Sequence, residues 1–125
     1  MKLALGLEVY NKATLNLPMD AIGTAESCGY HSLWTAEAYG SDALSTLAYL
    51  AAKTTTIKLG TAVVQVAART PASTAMAAMT IDALAGGDRT IIGLGVSGPQ
   101  IVEGWYGQPW GCPHHWLRDY VAIMR

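Results

Sequence analysis

Cysteine, charged residues and long apolar runs are all scarce in this sequence of 125 residues. It contains two cysteines, Cys28 and Cys112, and only 14% of its residues are charged. Two cysteines in a chain rich in Ala, Leu and Val do not make a disulfide scaffold, so we expect free thiols. Because half of the residues are apolar, the chain can bury a sizeable core, and we predict a single domain over 1–125.

The few charges exclude two classes of partner. The eight basic residues are scattered along the chain and the formal net charge is −1, so no basic stripe exists that a nucleic acid could follow. Lys, Asp, Thr or Gly interrupts every apolar stretch before it reaches the roughly 18 residues of a membrane span. The first residues enter a strand pattern without an A-x-A cleavage site, so we expect a cytoplasmic protein with no membrane partner.

One segment, Cys112-Pro113-His114-His115, carries residue types that bind metals. It lacks a paired C-x-x-C, and its histidines are not spaced three to five apart with a second cluster. We therefore expect no metal site.

Strand and helix patterns alternate four times. Apolar or β-branched runs predict strands at 3–9, 30–35, 57–66 and 89–95. The run at 57–66 lacks clean alternation, as expected of a central parallel strand covered on both faces. Capping residues mark the helices between the strands: Ser41 or Asp42 precedes the second, Thr70-Pro71 opens the third, and Gly29 stops the first.

Two helices have a predicted packed face, and the end of the chain is predicted as a loop followed by a helix. The first helix is expected to bury Pro18, Ala21, Ile22, Ala25 and Cys28. The third helix is expected to bury Ala72, Ala75, Met76, Met79 and Ala83. A loop is predicted from Pro99 to Gly111, and a final amphipathic helix over 116–124.

The four units have the size of β-loop-α repeats. Predicted strands start near residues 3, 30, 57 and 90, which gives a repeat of about 30 residues. Right-handed crossovers require all units to curl the same way. The predicted fold class is α/β, with parallel βα repeats forming half of a TIM (β/α)₈ barrel, which typically needs about 250 residues. Half a barrel exposes two sheet edges, so we expect the chain to self-associate as a homodimer or higher oligomer.

The stretch Gly93-Leu94-Gly95-Val96-Ser97-Gly98 matches G-x-G-x-x-G. Glycines at this spacing would let backbone N–H groups approach a phosphate or a flat cofactor ring. A dinucleotide-binding fold requires a helix to open at the third glycine, but Pro99 follows at once. The alternative is that these glycines only relieve crowding at the end of a strand.

Four blocks of sequence, at 42–47, 57–64, 69–71 and 92–100, together resemble the luciferase-like monooxygenase superfamily. The nearest branch is its coenzyme F420-dependent oxidoreductases, of which the chain resembles the N-terminal half. The resemblance implies a TIM-type barrel that binds F420, or in sister branches FMN, at the C-terminal ends of its strands. It also implies hydride transfer between that cofactor and a small-molecule substrate, with the ring supplying the redox chemistry.

The resemblance also assigns a catalytic candidate. Glu37 matches an acidic position beside the cofactor ring, where a carboxylate could accept a hydrogen bond or shuttle a proton. The alternative is an exposed loop carboxylate that caps the next helix. Ala38 falls where several F420 enzymes carry a histidine, so a mechanism that uses that histidine does not transfer to this chain.

Five further residues are implied to contact the cofactor. Ala62 and Val63 match the family's non-prolyl cis peptide under the ring, while Gly95, Val96 and Ser97 would line it from the fourth strand. The alternatives are an ordinary trans strand and a tight turn. Trp105, Tyr106 and Trp110 follow in a loop, where they would wall a pocket or cover an apolar surface.

Two functional hypotheses follow from the resemblance and the length. The chain is an F420- or FMN-dependent oxidoreductase, active as a homodimer or as part of a longer protein. Alternatively, it is a catalytically inactive half-barrel that serves as a self-associating or ligand-binding module, because the loops that hold the cofactor's phosphate tail follow later strands.

Overall fold

A computed structural model describes residues 1–7 and 14–125, and it contains one sheet of four parallel strands in the order β1-β2-β3-β4. The strands are β1 (Ala4–Gly6), β2 (Ser32–Thr35), β3 (Lys58–Gln65) and β4 (Thr90–Gly95). The helices are α1 (Met19–Ser27), α2 (Ala43–Ala51), α3 (Pro71–Leu84), α4 (Pro99–Val102) and α5 (Pro113–Met124). This order confirms the predicted α/β class. Of the helices in the described ranges, none is long and apolar enough to cross a bilayer.

The core lies between the helices and one face of the sheet. Leu33 of β2 and Leu59 of β3 are fully buried there, packed with α2 residues such as Leu47. Side chains alternate along a strand, so Trp34 and its register partner Gly60 lie on the opposite face. A Cβ at Gly60 would lie 2.5 Å from the indole ring of Trp34, so only glycine fits beneath it.

Local signals located the strands and helix starts correctly to within a few residues. Asp42 caps α2 and accepts a hydrogen bond from Ser45 N–H at 2.6 Å, and Thr70 caps α3, accepting from Ser73 N–H. Gly29, with φ 76°, follows the end of α1. β3 pairs with both neighbours, which confirms its predicted central place. The first strand was predicted to reach residue 9, but β1 ends at Gly6, and residues 8 and 9 lie outside the described part of the chain.

The predicted packed face of α1 is right in part, and that of α3 is wrong. In α1 the buried residues are Ile22 and Ala25, while Cys28, just after the helix, is exposed. Cys112 is exposed as well, and both cysteines are free thiols, as expected. In α3 the buried residues are Thr74 and Ile81, and Met76 and Met79 are exposed. Alanine and methionine surround α3 on all sides, so its periodicity is weak, and contacts with α2 and α5 select the buried face.

The predicted loop after β4 contains a short helix, and the last helix starts earlier than expected. α4 opens at Pro99 directly after Gly98, and α5 opens at Pro113 rather than 116. Proline fits the first position of a helix because the N–H it lacks would have no partner there. Proline therefore opens α4 inside the predicted loop, and it opens α5 three residues before the predicted start of the last helix.

Two carboxylates at the N-terminal end of the sheet accept backbone hydrogen bonds from the residues at the starts of β3 and β4. Glu26 Oε1 accepts hydrogen bonds from the N–H groups of Thr55, Thr56 and Ile57 at 2.7–3.0 Å. Asp82 of α3 accepts in the same way from the residues that lead into β4. Burial alone would raise the pKa of Glu26, but these backbone hydrogen bonds outweigh it and lower the pKa from 4.5 to about 2.

Replacing this carboxylate should lower stability in a pH-dependent way. The Glu26 pKa is lower in the folded state, so its contribution is complete above 4.5 and is lost as pH falls towards 2. Because Glu26 is only half-buried and solvent screens its charge, we expect Glu26→Gln to cost on the order of 1–2 kcal/mol at pH 7. Urea denaturation at pH 7 and pH 3 checks this, and the two proteins should differ less at pH 3.

The control is Glu103→Gln, whose carboxylate accepts a single long bond, 3.4 Å, from Trp110 N–H. It should change stability by less than about 0.5 kcal/mol at either pH. A loss for Glu26→Gln that stays constant from pH 7 to pH 3 would show that the charge of Glu26 contributes nothing.

Candidate functional site

The candidate site lies where β2, β3 and β4 end. Glu37 follows β2, Arg69 follows β3 after a 3-10 turn at Val66–Ala68, and Ser97 follows β4. The carboxyl ends of parallel strands meet at one edge of the sheet, so residues far apart in sequence come together here.

Glu37 is a buried carboxylate held by an arginine. Arg69 Nη1 donates to Glu37 Oε2 at 2.9 Å and Nη2 donates to Oε1 at 2.7 Å, a bidentate pair. Gln65 N–H also donates to Oε2, at 2.8 Å. Glu37 is 8% exposed, and Asp42 caps the next helix instead, so the alternative of an exposed capping carboxylate is wrong.

Asp42 completes a three-residue charge cluster. Arg69 Nη2 donates to Asp42 Oδ1 as well, so one guanidinium serves two carboxylates and the cluster carries a net charge of −1. The hydrogen bond with Glu37, aided by the charges of Glu37 and Asp42, raises the pKa of Arg69 despite burial. Burial favours a raised pKa for Asp42, but hydrogen bonds from Ser45 and the charge of Arg69 lower it, so Asp42 stays ionised.

The last helix supports the backbone that carries Arg69. Tyr120 of α5 is 1% exposed, and its hydroxyl donates to the carbonyl of Arg69 at 3.1 Å. The same hydroxyl lies 2.5 Å from Thr74 Oγ1 in α3. Contacts from α3 and α5 thus fix the position from which Arg69 reaches Glu37.

A cleft of about 330 Å³ opens beside the cluster, and we call it the Glu37 cleft. Trp105 and Tyr106, from the segment after α4, line it, and Trp105 meets Tyr39 edge-on with ring centroids 5.2 Å apart. Burial and then the charge of Glu37 raise the pKa of Tyr106, so its phenol stays protonated and can donate. Trp105 and Tyr106 thus line a pocket, as predicted, whereas Trp110 is not among the residues that line this cleft.

The predicted cofactor residues of β3 lie at an irregularity in the sheet. The Ala62–Val63 peptide is cis, and the β3–β4 register shifts between Thr61 and Val64. Val63 O accepts a hydrogen bond from Glu37 N–H at 3.2 Å, which joins this segment to the acidic residue. Ala62 is exposed.

The glycines of β4 have a structural explanation. A Cβ at Gly95 would lie 2.3 Å from Val63 Cγ2, and one at Gly93 would lie 2.2 Å from Thr61 O. These contacts agree with the alternative that the glycines relieve crowding between strands. Val96 and Ser97 form the turn that follows, with Ser97 at φ 57°. Contact of Ala62, Val63, Gly95, Val96 and Ser97 with a cofactor stays a prediction.

Arg69 is the residue whose role sequence reasoning missed. The signal was present, because Arg69 is the one charged residue between Lys58 and Asp82 and stands just before the cap of a helix. A lone charge at the end of a buried strand needs a partner.

Across residues 1–7 and 14–125, no three His, Cys, Asp or Glu side chains come together to hold a metal ion.

The matching sequence profile and the similar proteins point to the same family. The sequence profile described as luciferase-like monooxygenase matches residues 7–125. A protein of Mycobacterium tuberculosis named as a coenzyme F420-dependent oxidoreductase is 47% identical over 125 residues, all of this chain and 36% of that protein. The chain thus spans about a third of the length of this relative.

Solved structures share the fold. The coenzyme F420-dependent tetrahydromethanopterin reductase of Methanopyrus kandleri superposes with a TM-score of 0.80 at 25% identity, over 98% of this chain and 39% of that one. The oxygenating constituent of 3,6-diketocamphane monooxygenase from Pseudomonas putida, in complex with FMN, gives 0.79 at 18% identity, over 99% and 38%. These neighbours confirm the predicted half of a TIM-type barrel.

Proposed function

The chain belongs to the luciferase-like monooxygenase family, and we propose that it forms the part of an oxidoreductase that holds one side of a deazaflavin, F420. The reaction proposed is hydride transfer between F420 and a small organic substrate, with the cofactor ring supplying the redox chemistry. The 47% identity to a protein named as an F420-dependent oxidoreductase supports F420 over the alternative, FMN. Because the chain spans 36% of that relative, further strands would complete the site.

An unpaired buried acceptor beside Glu37 is the observation that carries this proposal. Gln65 Oε1 is buried and has no hydrogen-bond partner among the described residues, while its Nε2 donates to Glu37 O at 3.3 Å. Buried polar atoms normally have partners, so this acceptor fits a ligand that brings an N–H group. Ala62 is exposed and carries only a methyl group, so β3 leaves room for a flat ring at this position.

The charge cluster suggests roles for Glu37 and Tyr106, two of the titratable side chains that line the Glu37 cleft. We propose that Glu37 acts as a hydrogen-bond acceptor towards the cofactor ring, since Arg69 and Gln65 N–H hold its carboxylate in place. Tyr106, which stays protonated, would donate a hydrogen bond to an oxygen of the cofactor or substrate. The enzyme orients the ring, and its residues exclude water and fix the charge around it.

Cofactor titration tests the function. We expect the purified protein to quench the fluorescence of F420, and more weakly that of FMN, with dissociation constants of tens of micromolar or below. Ala62→Leu places bulk on the exposed side of β3 and should weaken binding at least tenfold, a loss of about 1.4 kcal/mol. Ala72→Leu, at an exposed position of α3, is the matched control and should bind like the parent.

Folded protein that binds neither cofactor at tens of micromolar would overturn the enzyme proposal. It would leave the second candidate, an inactive half-barrel that associates with itself or with other ligands. The observation that favours this candidate is the open sheet, in which every residue of β4 is only partly buried.

Self-association is proposed under either function. Among the described strands, β1 and β4 each pair on one side, so a second copy, or further strands of a longer chain, would cover these edges. Sedimentation or light scattering measures the mass directly. A stable monomer at dilute concentration would contradict a homodimer.

A further inference from the structure

A second and larger cleft lies across the turn Gly40-Ser41-Asp42 from the Glu37 cleft. It has a volume of about 660 Å³ and is bordered by the segment leading into α1 and by the first two turns of α2. We call it the α1–α2 cleft. Its size is within the range of small-molecule sites, about 300–1,000 Å³. The three turn residues line both clefts, so one wall separates them.

Part of the lining of the α1–α2 cleft is apolar. Leu15 is 43% exposed and Tyr49 is 50% exposed, although the hydrophobic effect favours burial of both side chains. Leu17 and Met19 are the other apolar side chains of the lining. A ligand with an apolar body would remove this surface from water.

The rest of the lining is polar, and the carboxylate of Asp42 gives it a negative formal charge. Ser41 Oγ is buried and lacks a hydrogen-bond partner among the described residues. Asp42 is the one ionisable acid or base of the described lining besides the phenol of Tyr49, and its side chain is 36% exposed. No lysine, arginine or histidine of the described chain lines the cleft.

The charge of Asp42 is only partly compensated. Arg69 is shared with Glu37, so the cluster of two carboxylates and one guanidinium retains a net charge of −1. Asp42 is the member of the cluster that lines the α1–α2 cleft, and Ser45 N–H occupies Oδ2 while Arg69 contacts Oδ1. Each carboxylate oxygen can accept more than one hydrogen bond, so Asp42 can still accept from a ligand.

We propose that the α1–α2 cleft binds a small molecule with an apolar body and one ammonium group. The ammonium contacts Asp42 and Ser41 Oγ, and the body lies against Leu15, Leu17, Met19 and Tyr49. The ligand's charge neutralises the cluster, and an anionic group such as a carboxylate or phosphate is repelled. The site shares the turn Gly40-Ser41-Asp42 with the Glu37 cleft, but it is proposed independently of cofactor binding.

Three probes with the same body and different charge test the proposal. The ¹⁵N-labelled protein is titrated at pH 7, without cofactor, with cyclohexylmethylamine, cyclohexylmethanol and cyclohexanecarboxylate, and amide chemical shifts are followed by NMR. The amine should perturb residues 15–19 and 40–49 and bind at least fivefold more tightly than the alcohol. The carboxylate should bind more weakly than the alcohol.

Two variants separate charge from shape. Asp42→Asn keeps a good helix-capping side chain, and it should make the amine bind no better than the alcohol. Ser45→Phe fills the cleft from an exposed position of α2 and should weaken both ligands at least fivefold. Ser73→Phe is the control, since Ser73 is exposed and occupies the same position of α3 relative to its cap as Ser45 does in α2.

Some results would overturn the proposal. They are carboxylate binding as tight as amine binding, shifts confined to other residues, or undiminished binding by Ser45→Phe. Because no cofactor is present, none of these outcomes bears on F420 binding, and failure to bind F420 has no effect on the titrations with amine.

Discussion

Arg69→Met should destabilise the protein by about 3–5 kcal/mol, the usual cost of removing one partner of a buried ion pair. The substitution would leave the carboxylate of Glu37, 8% exposed, without its two charge-assisted hydrogen bonds. Asp42 would lose its cationic partner at the same time. Single domains are stable by only about 5–15 kcal/mol, so this is a large share of the total.

A double-mutant cycle shows where that cost arises. Glu37→Gln combined with Arg69→Met leaves no unpaired charge at this pair, so the double variant should be more stable than Arg69→Met alone. Urea denaturation at pH 7 measures all three variants. Arg118→Met is the control, because its pair with Asp119 is exposed and should contribute less than about 1 kcal/mol. Equal losses of unfolding free energy for Arg69→Met and Arg118→Met would show that the buried Glu37–Arg69 pair stabilises the protein no more than an exposed pair does.

Gly93→Ala should cost about 3 kcal/mol or more, because the added Cβ would lie 2.2 Å from the backbone oxygen of Thr61. A backbone atom of a paired strand cannot rotate away as a side chain can. Thr61 Oγ1 also accepts from Gly93 N–H and donates to Gly93 O, both at 3.0 Å, and a shift of either strand would disturb these bonds. The pairing of β3 with β4 would therefore weaken beside the proposed cofactor site.

The measurement is the change in the urea midpoint, with Gly23→Ala as the matched control. Gly23 lies in α1 and has open space where a Cβ would be added, so alanine there should stabilise the helix by about 0.5–1 kcal/mol. If Gly93→Ala is as stable as the parent, then β4 moves freely against β3 and the crowding argument is wrong.

Much of the fold could be predicted because the relevant signals are local. A cap such as Asp42 or Thr70 acts on N–H groups within three residues, and a β-branched run such as that of β3 depends on its own side chains. The packed face of α3 could not be predicted, because alanine fits a buried face and an exposed face equally well. Contacts of α3 with other helices determine that Thr74 and Ile81 are the buried residues.

The site was predictable in part. The family resemblance identified Glu37 and the strand-end residues of β3 and β4, and the structure brings Glu37 against Val63. It did not identify Arg69 as the partner of Glu37, nor did any local pattern. The two residues are 32 positions apart and no spacing rule links them.

The sequence by itself determined four strand-helix units, their parallel order and the family to which they belong, since these depend on short-range propensities and on recognisable blocks. Only the tertiary structure decided that Glu37 is buried and paired with Arg69, and is not a free loop carboxylate. The physical reason is that parallel strands end at one edge of the sheet, where a desolvated carboxylate is stable only if another loop supplies its cation.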